Sequence, residues 1–333
     1  MAQLIKLQDF ISRYETDIFR YPSQYIRLKK ERWEKIKSAW YNKEIIIDQS
    51  ENINHDLKKY EPFIGFESFD ENWLEDDNKG FFQTIKGWFK KTGNEDIEYN
   101  DLETSLKEAT RLFGDEVKTE EDLKKEFLEE LFYFQLNWAS STLRDRSIID
   151  NSLYHDEVLK YFLQHFPDNY LLLYKPTLIV KKAPIDLDII LLSPVTTYCI
   201  SLLESEDMSV YLTDRGRYWF EGSGENEKKR INPMISLNRT ANLVQSYYKH
   251  YDIDLSVKKV VLSRTGYIEG DYEPVNTTII DKRSYSDWYS RLRRLPSPIK
   301  FVQLKGAQAL LRHCQSTYFR RTEWEPDEDE IQW

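Results

Sequence analysis

Apolar positions recur at three- and four-residue spacing over roughly the first 140 residues and then give way to short apolar runs separated by turns. Leu4, Leu7, Ile11, Tyr14 and Ile18 fall on one side of a helix, which predicts a helix over the N-terminal residues. Tyr21-Pro22-Ser23 interrupts it, and Ser23 is placed to cap a second helix carrying Ile26, Trp33, Ile36 and Trp40. That helix is basic at Arg27, Lys29, Lys30, Arg32, Lys35 and Lys37, with Glu31 and Glu34 interspersed. The mixture reads as a solvated face over buried Trp rather than a phosphate- or membrane-binding surface. Residues 43–79 are acidic and poorly periodic and predict a long, mobile connection. The stretch GFFQTIKGWFKK, 80–91, places Phe81, Phe82, Ile85, Trp88 and Phe89 on one helical side, which suits docking on the protein's own core. A helix over 101–113 follows. Another opens at Thr119-x-x-Asp122, a relative of the capping box, with Leu123, Phe127, Leu131, Phe134 and Trp138 as its apolar stripe.

From about residue 147 helices and strands alternate. A helix over 152–166 stops at Pro167-Asp168-Asn169, and strands are predicted at 170–182, 187–192, 198–204 and 209–212, with a short one near 218–220. A helix over 233–248, strands at 258–263 and 275–281, and helices over 286–294 and 303–318 complete the pattern. The succession predicts an α/β or α+β domain with a mixed β-sheet flanked by helices. The chain thus divides into a helical N-terminal domain at 1–146, an α/β domain at 147–322 and an acidic tail at 323–333.

The stretch IDLDIILLSPVTTYCISLLESE, 185–206, is central to the second domain. Two apolar runs joined at Ser193-Pro194 read as a hairpin buried on both faces. Strand alternation sends Asp186 and Asp188 to one side, and Glu204 and Glu206 likewise share a side. Carboxylates at the ends of buried strands need partners, and a divalent cation with oxygen ligands is one that fits.

Composition and charge narrow the picture. An aromatic content of 14%, with 22 Tyr and 9 Trp, supplies a core despite 31% charged residues. No stretch approaches the ~20 apolar residues of a membrane span, and the first residues lack an apolar signal core, so a cytoplasmic protein is expected. Cys199 and Cys314 make no disulfide framework, and the neighbours His313 and Cys314 lack metal-ligand spacing. The net charge of −10 argues against indiscriminate nucleic-acid binding. It is unevenly spread: residues 1–150 carry −9, whereas residues 151–322, ahead of the acidic tail, carry +5.

Residues from about Glu157 to Leu262 resemble the nuclease-related domain (NERD) family of bacterial proteins. The matching pieces are LDIILLSPVTTYCISLLE (187–204), Tyr218-Trp219 after a turn, and INPMISLNRTANLV (231–244). The likeness covers about a third of the chain, and the layout is similar to a longer subgroup with a helical N-terminal region. It implies a restriction-endonuclease-like fold and a Mg²⁺-dependent phosphodiesterase site, made in such enzymes of an Asp, then Glu-x-Lys on the next strand. In this chain Asp188 takes the Asp position, with Asp186 as a second acid. Counted from the turn, Glu and Lys fall on Ser201 and Leu203; a three-residue slip brings Glu204 and Glu206 instead, and neither register contains a Lys. The expected catalytic pair is therefore Asp188 and Glu204, with Asp186, Asp188, Glu204 and Glu157 as metal ligands. Lys181, Lys182 or Arg239 could stand in for the missing Lys, and Asn238, Arg239 and Lys182 could contact nucleic acid. Each also has a plain structural reading: a solvated strand entrance at Asp186 and Asp188, an acidic turn at Glu204–Glu206, a helix start at Asn232-Pro233. The expectation is nucleic-acid processing or binding with a degenerate site. The alternative is a non-catalytic module that docks a protein partner through Trp33, Trp40 and the 80–91 element.

Overall fold

The computed structural model describes residues 1–50, 119–204, 209–223, 226–270, 272, 274–295 and 297–320. The predicted 80–91 element, the 101–113 helix, most of the acidic connection, Glu206 and the acidic tail lie outside the described residues. The chain forms two compact units, Lys29–Phe127 and a larger one made of Met1–Leu28 with Leu128–Trp333. This division departs from a boundary at 146, because the first residues join the α/β unit.

In the smaller unit, parts of helices α2 (Tyr21–Ser50) and α3 (Glu120–Trp138) meet. Trp33 packs on Phe127 with ring centroids 5.2 Å apart, and Lys37 pairs with Glu120 at 3.2 Å. The capping box forms as expected: Thr119 Oγ1 accepts from the Asp122 backbone N–H, and Asp122 Oδ2 accepts from the Thr119 N–H. Helix α2 continues through residues 43–50, where the sequence pattern predicts the connection.

The larger unit is mixed α/β. Among the described residues its main sheet has six strands in the order β1 (Gln3–Leu7), β3 (Leu171–Tyr174), β6 (Ile189–Leu192), β7 (Thr196–Leu202), β11 (Ser256–Leu262) and β13 (Thr277–Ile280). The β3–β6 and β6–β7 pairs are antiparallel; β1–β3, β7–β11 and β11–β13 are parallel. Inward residues alternate between two apolar cores. On one face Ile190, Leu192, Cys199 and Val261 meet Leu237, Ala241, Val244 and Tyr248 of helix α6 (Pro233–His250). On the other, Ile189, Leu191, Ile200 and Leu262 meet helix α5 (Glu157–His165) through Leu159 and Phe162, and helix α7 (Tyr285–Arg293) through Trp288 and Leu292. Helix α8 (Phe301–Leu311) joins the α6 side. A Cβ on its Gly306 would stand 3.1 Å from the Tyr248 hydroxyl, so a larger residue there would have to push that side chain aside by a few tenths of an ångström.

Four expectations are corrected. The N-terminal residues form no long helix: Gln3–Leu7 is a fully buried strand, β1, followed by a four-residue helix α1 (Arg13–Thr16). Parallel pairing with β3, in which Gln3 meets Leu171 and Leu7 meets Tyr174, outweighs a local spacing that happened to suit a helix. The helix at 152–166 is two, α4 (Asn151–Tyr154) and α5. The first ends at His155, and the Asp156 carboxylate caps the second by accepting from the Val158 and Leu159 N–H groups. The strand at 170–182 is broken after Tyr174 by Lys175 at φ +47°, and a separate hairpin, β4 (Thr177–Val180) and β5 (Ala183–Asp186), follows. Its two-residue turn, Lys181 and Lys182 at φ +50° and +70°, has the left-handed geometry such hairpins demand. Asp186 therefore belongs to a different sheet from the strand that follows Asp188, and the two acids are not alternate residues of one strand. Finally, β8 (Val210–Leu212) and β9 (Tyr218–Ser223) belong to a second, four-stranded sheet, completed by β10 (Asn226–Ile231) and β12 (Tyr267–Glu269) in the order β10-β9-β8-β12. Two short strands, β2 (Asp145–Arg146) and β14 (Phe319–Arg320), pair with each other.

Candidate functional site

The β6–β7 hairpin forms, with Ile190 opposite Cys199 and Leu192 opposite Thr197. The Ser193 backbone N–H donates to the Thr196 carbonyl, and Ser193 Oγ accepts from the Thr196 N–H at 3.0 Å. The Ser-Pro turn is thus self-contained and buried at Ser193. The Trp-bearing turn and the Asn-Pro helix start interlock. Trp219, fully buried, donates its indole N–H to the Asp214 carbonyl at 3.0 Å. Asn232 donates through Nδ2 to the carbonyls of Asp214 and Gly216, and its Oδ1 caps α6 by accepting from the Met234 N–H. These residues position α6 against the sheet.

Asp188 sits at the entrance to β6, on the α6 side, with the parity of Ile190 and Leu192. Its backbone N–H donates to Thr240 Oγ1 at 3.0 Å, and that hydroxyl lies 3.5 Å from Asp188 Oδ2. Burial pushes its carboxyl above the usual carboxylate range, opposed by a hydrogen bond from Ser236, the charge of Arg239, the Thr240 hydroxyl and the charge of Lys175. The β7 residues on the same face are Thr197, Cys199 and Ser201, with Leu203 just beyond the strand. Burial pushes the Cys199 thiol far up, so it stays protonated and is no nucleophile.

Glu204 is elsewhere. It has the parity of Ile200 and Leu202, both of the α5–α7 core, and its carboxylate is gripped by Arg264 just beyond β11. Both guanidinium contacts are hydrogen bonds, Nε to Oε1 and Nη2 to Oε2, the latter at 2.6 Å. The guanidinium lies over the Tyr161 ring of α5, 4.1 Å from its centroid, and the Tyr285 hydroxyl of α7 donates to the Tyr161 hydroxyl at 2.7 Å. The two acids thus keep different partners: Glu204 holds Arg264, over Tyr161, whereas Asp188 meets Thr240, Ser236 and the charge of Arg239.

The remaining candidates are dispersed. Glu157 is exposed in the first turn of α5, on the side of the sheet away from Asp188. Asp186 is exposed and accepts from Thr177 Oγ1 at 2.7 Å across the β4–β5 hairpin. Lys182 occupies the exposed tip of that hairpin. Asn238 Oδ1 accepts from Lys259 Nζ at 2.8 Å, whereas Arg239, also exposed on α6, reaches Asp188 electrostatically. A Mg²⁺ site needs several oxygen ligands converging on one point. Asp188 is met by Ser236, Thr240, Arg239 and Lys175, Glu204 is paired with Arg264, and no group of three His, Cys, Asp or Glu among the described residues could hold a metal ion. The donor set does not fit the expected ion. Arg264 and Tyr161 were not anticipated, because their partnership with Glu204 spans the 60 residues from Glu204 to Arg264 and carries no local motif.

No family model matches the chain, and no solved structure matches it. A stretch of 40 residues is 55% identical to an RNA 2′,3′-cyclic phosphodiesterase from Geobacillus stearothermophilus. The match covers 12% of this chain and 13% of that protein, so the chain spans only a small part of the relative's length. No helix among the described residues is long and apolar enough to cross a membrane.

Proposed function

We propose that the chain is a nuclease-related-domain protein that keeps a restriction-endonuclease-like frame and has lost the phosphodiesterase centre, leaving nucleic-acid binding without cleavage. The succession α5, β3, β6, β7, α6, β11, with three antiparallel strands and a fourth parallel to the third, supports the frame. The observation that carries the loss of chemistry is the division of the acids. Asp188 faces α6 beside Ser201 and Leu203, and Glu204 faces α5 in the grip of Arg264. A phosphodiester needs a cation and a positive group at one point to stabilise the charge that builds in its transition state; Arg239 and Lys175 supply positive charge near Asp188, but no group of acids that could hold the cation is found among the described residues. The short likeness to an RNA cyclic phosphodiesterase covers too little of either chain to carry an activity across.

The test is incubation of the full chain with end-labelled single- and double-stranded DNA and RNA, with Mg²⁺ or Mn²⁺, followed by binding titrations at two salt concentrations. Intact substrates together with binding that weakens as salt rises are expected. Cleavage abolished by chelator and by Asp188→Ala would refute the loss of chemistry. No binding at low salt, with another protein co-purifying stably, would favour a protein-docking module.

A further inference from the structure

The second sheet has an inner and an outer face. Trp219, Glu221, Tyr211 and Ile268 are buried beneath it; Trp219, Tyr211 and Ile268 belong to the α6-side core. Arg230 pairs with Glu221, whose other oxygen accepts from Ser209. By alternation the outer face carries Tyr218, Phe220, Leu212 and Tyr267, with Lys229 directly opposite Phe220 and Ile231 opposite Tyr218. None of these six belongs to either apolar core or packs against one. Tyr218 and Leu212 are each 40% exposed and Ile231 is 65% exposed. Cations attend the rings. The Arg217 guanidinium lies 5.8 Å from the Tyr218 centroid, and Arg283 and Lys282 lie 5.4 and 5.8 Å from that of Tyr267. Arg283 is also paired with Asp281 and Glu269.

We propose that this outer face binds single-stranded nucleic acid, its rings taking unstacked bases and its cations the phosphates; the idea rests on the nucleic-acid reading above and says where that binding occurs. Two rings on β9 two residues apart are about 7 Å from each other along the strand, and β12 lies two strand spacings, about 10 Å, to the side. Rings so spread serve separate bases. Base stacking on exposed aromatics accepts any sequence, and a duplex withholds its base faces from such a surface. An acidic peptide would satisfy the cations and leave the ring faces without partners, so the combination favours the nucleic acid.

Fluorescein-labelled oligo(dT) and oligo(U), a mixed-sequence duplex, and unlabelled polyglutamate as competitor, read by anisotropy with the full chain, test this. Single strands should bind more tightly than the duplex, and polyglutamate should compete poorly. Tyr218→Ala and Tyr267→Ala should each weaken binding about tenfold, the scale of one lost base stack. Lys229→Glu should weaken it as well, and the exposure of Lys229 makes this variant independent of any folding loss at Tyr267. If the wild-type chain binds but all three variants match it, or the duplex binds as well as the single strands, the outer face is not the site while the functional reading survives. Equal competition by polyglutamate assigns the face to an acidic peptide and overturns the proposal. No binding of any nucleic acid at low salt removes the functional reading along with it.

Discussion

Replacing Arg264 by Ala separates a structural Glu204 from a catalytic one. The Glu204 and Arg264 side chains are 18% and 22% exposed and share two hydrogen bonds, and the guanidinium also covers Tyr161. Removing the arginine strands a mostly buried carboxylate. A fully buried pair broken in this way costs about 3–5 kcal/mol, and the residual exposure lowers the expectation to about 2–4 kcal/mol. Of this, about 1 kcal/mol is the cation–π contact alone. Glu204→Ala should cost less, because the guanidinium keeps its seat on the ring and its outer edge reaches water. If the pair is the main role of both residues, the double variant should fall short of the summed single losses by about 1.5–3 kcal/mol. Urea unfolding of the four proteins measures this, with unchanged slopes certifying that only stability has moved. A coupling below about 0.5 kcal/mol would refute the reasoning and free Glu204 for another role.

Three further expectations follow from the same geometry. Asp188 has a raised folded-state pKa, so the folded chain holds that proton more tightly than the unfolded one, and stability is lost as pH rises from the ordinary Asp value through the raised one. Asp188→Asn should therefore match or exceed wild-type stability at pH 7.5, with the advantage shrinking as pH falls to the ordinary Asp value; thermal melts at both pH values check it, and a clear loss at pH 7.5 would contradict it. Asn232→Ala removes the α6 cap and two bonds to the 214–216 turn, and should cost about 1–2 kcal/mol in urea unfolding. Burial pushes the Cys314 thiol up to about 12 and the Cys199 thiol higher still, so neither should be alkylated quickly by iodoacetamide at pH 8 in the folded chain, as mass spectrometry will read.

The parts legible in the sequence are those with local causes. The β6–β7 hairpin could be read because two apolar runs flank a Ser-Pro turn, and α6 because Asn232-Pro233 announces it. Strand β1 could not: QLIKL owes its conformation to a parallel partner far along the chain, and its apolar spacing also suits a helix. Strand β10, NEKKRI, is a polar edge strand with one apolar residue, formed by its ladder with β9 rather than by any pattern of its own. At the candidate site the residues were visible and their faces only partly so. Glu204 lies three residues beyond Ser201, an odd interval that breaks the alternation a shared face would need. Arg264, which occupies it there, left no trace near Glu204 in the sequence.

Titration of the full chain with Mn²⁺, followed by water-proton relaxation, asks whether Asp188 and Glu204 ever hold one ion between them. With Glu204 held by Arg264 and Asp188 by Thr240 and Ser236, Asp188→Ala and Glu204→Ala should leave the wild-type titration curve unchanged. A single saturable site that disappears in both variants would mean that the acids meet after all, and that the hydrolytic centre is intact.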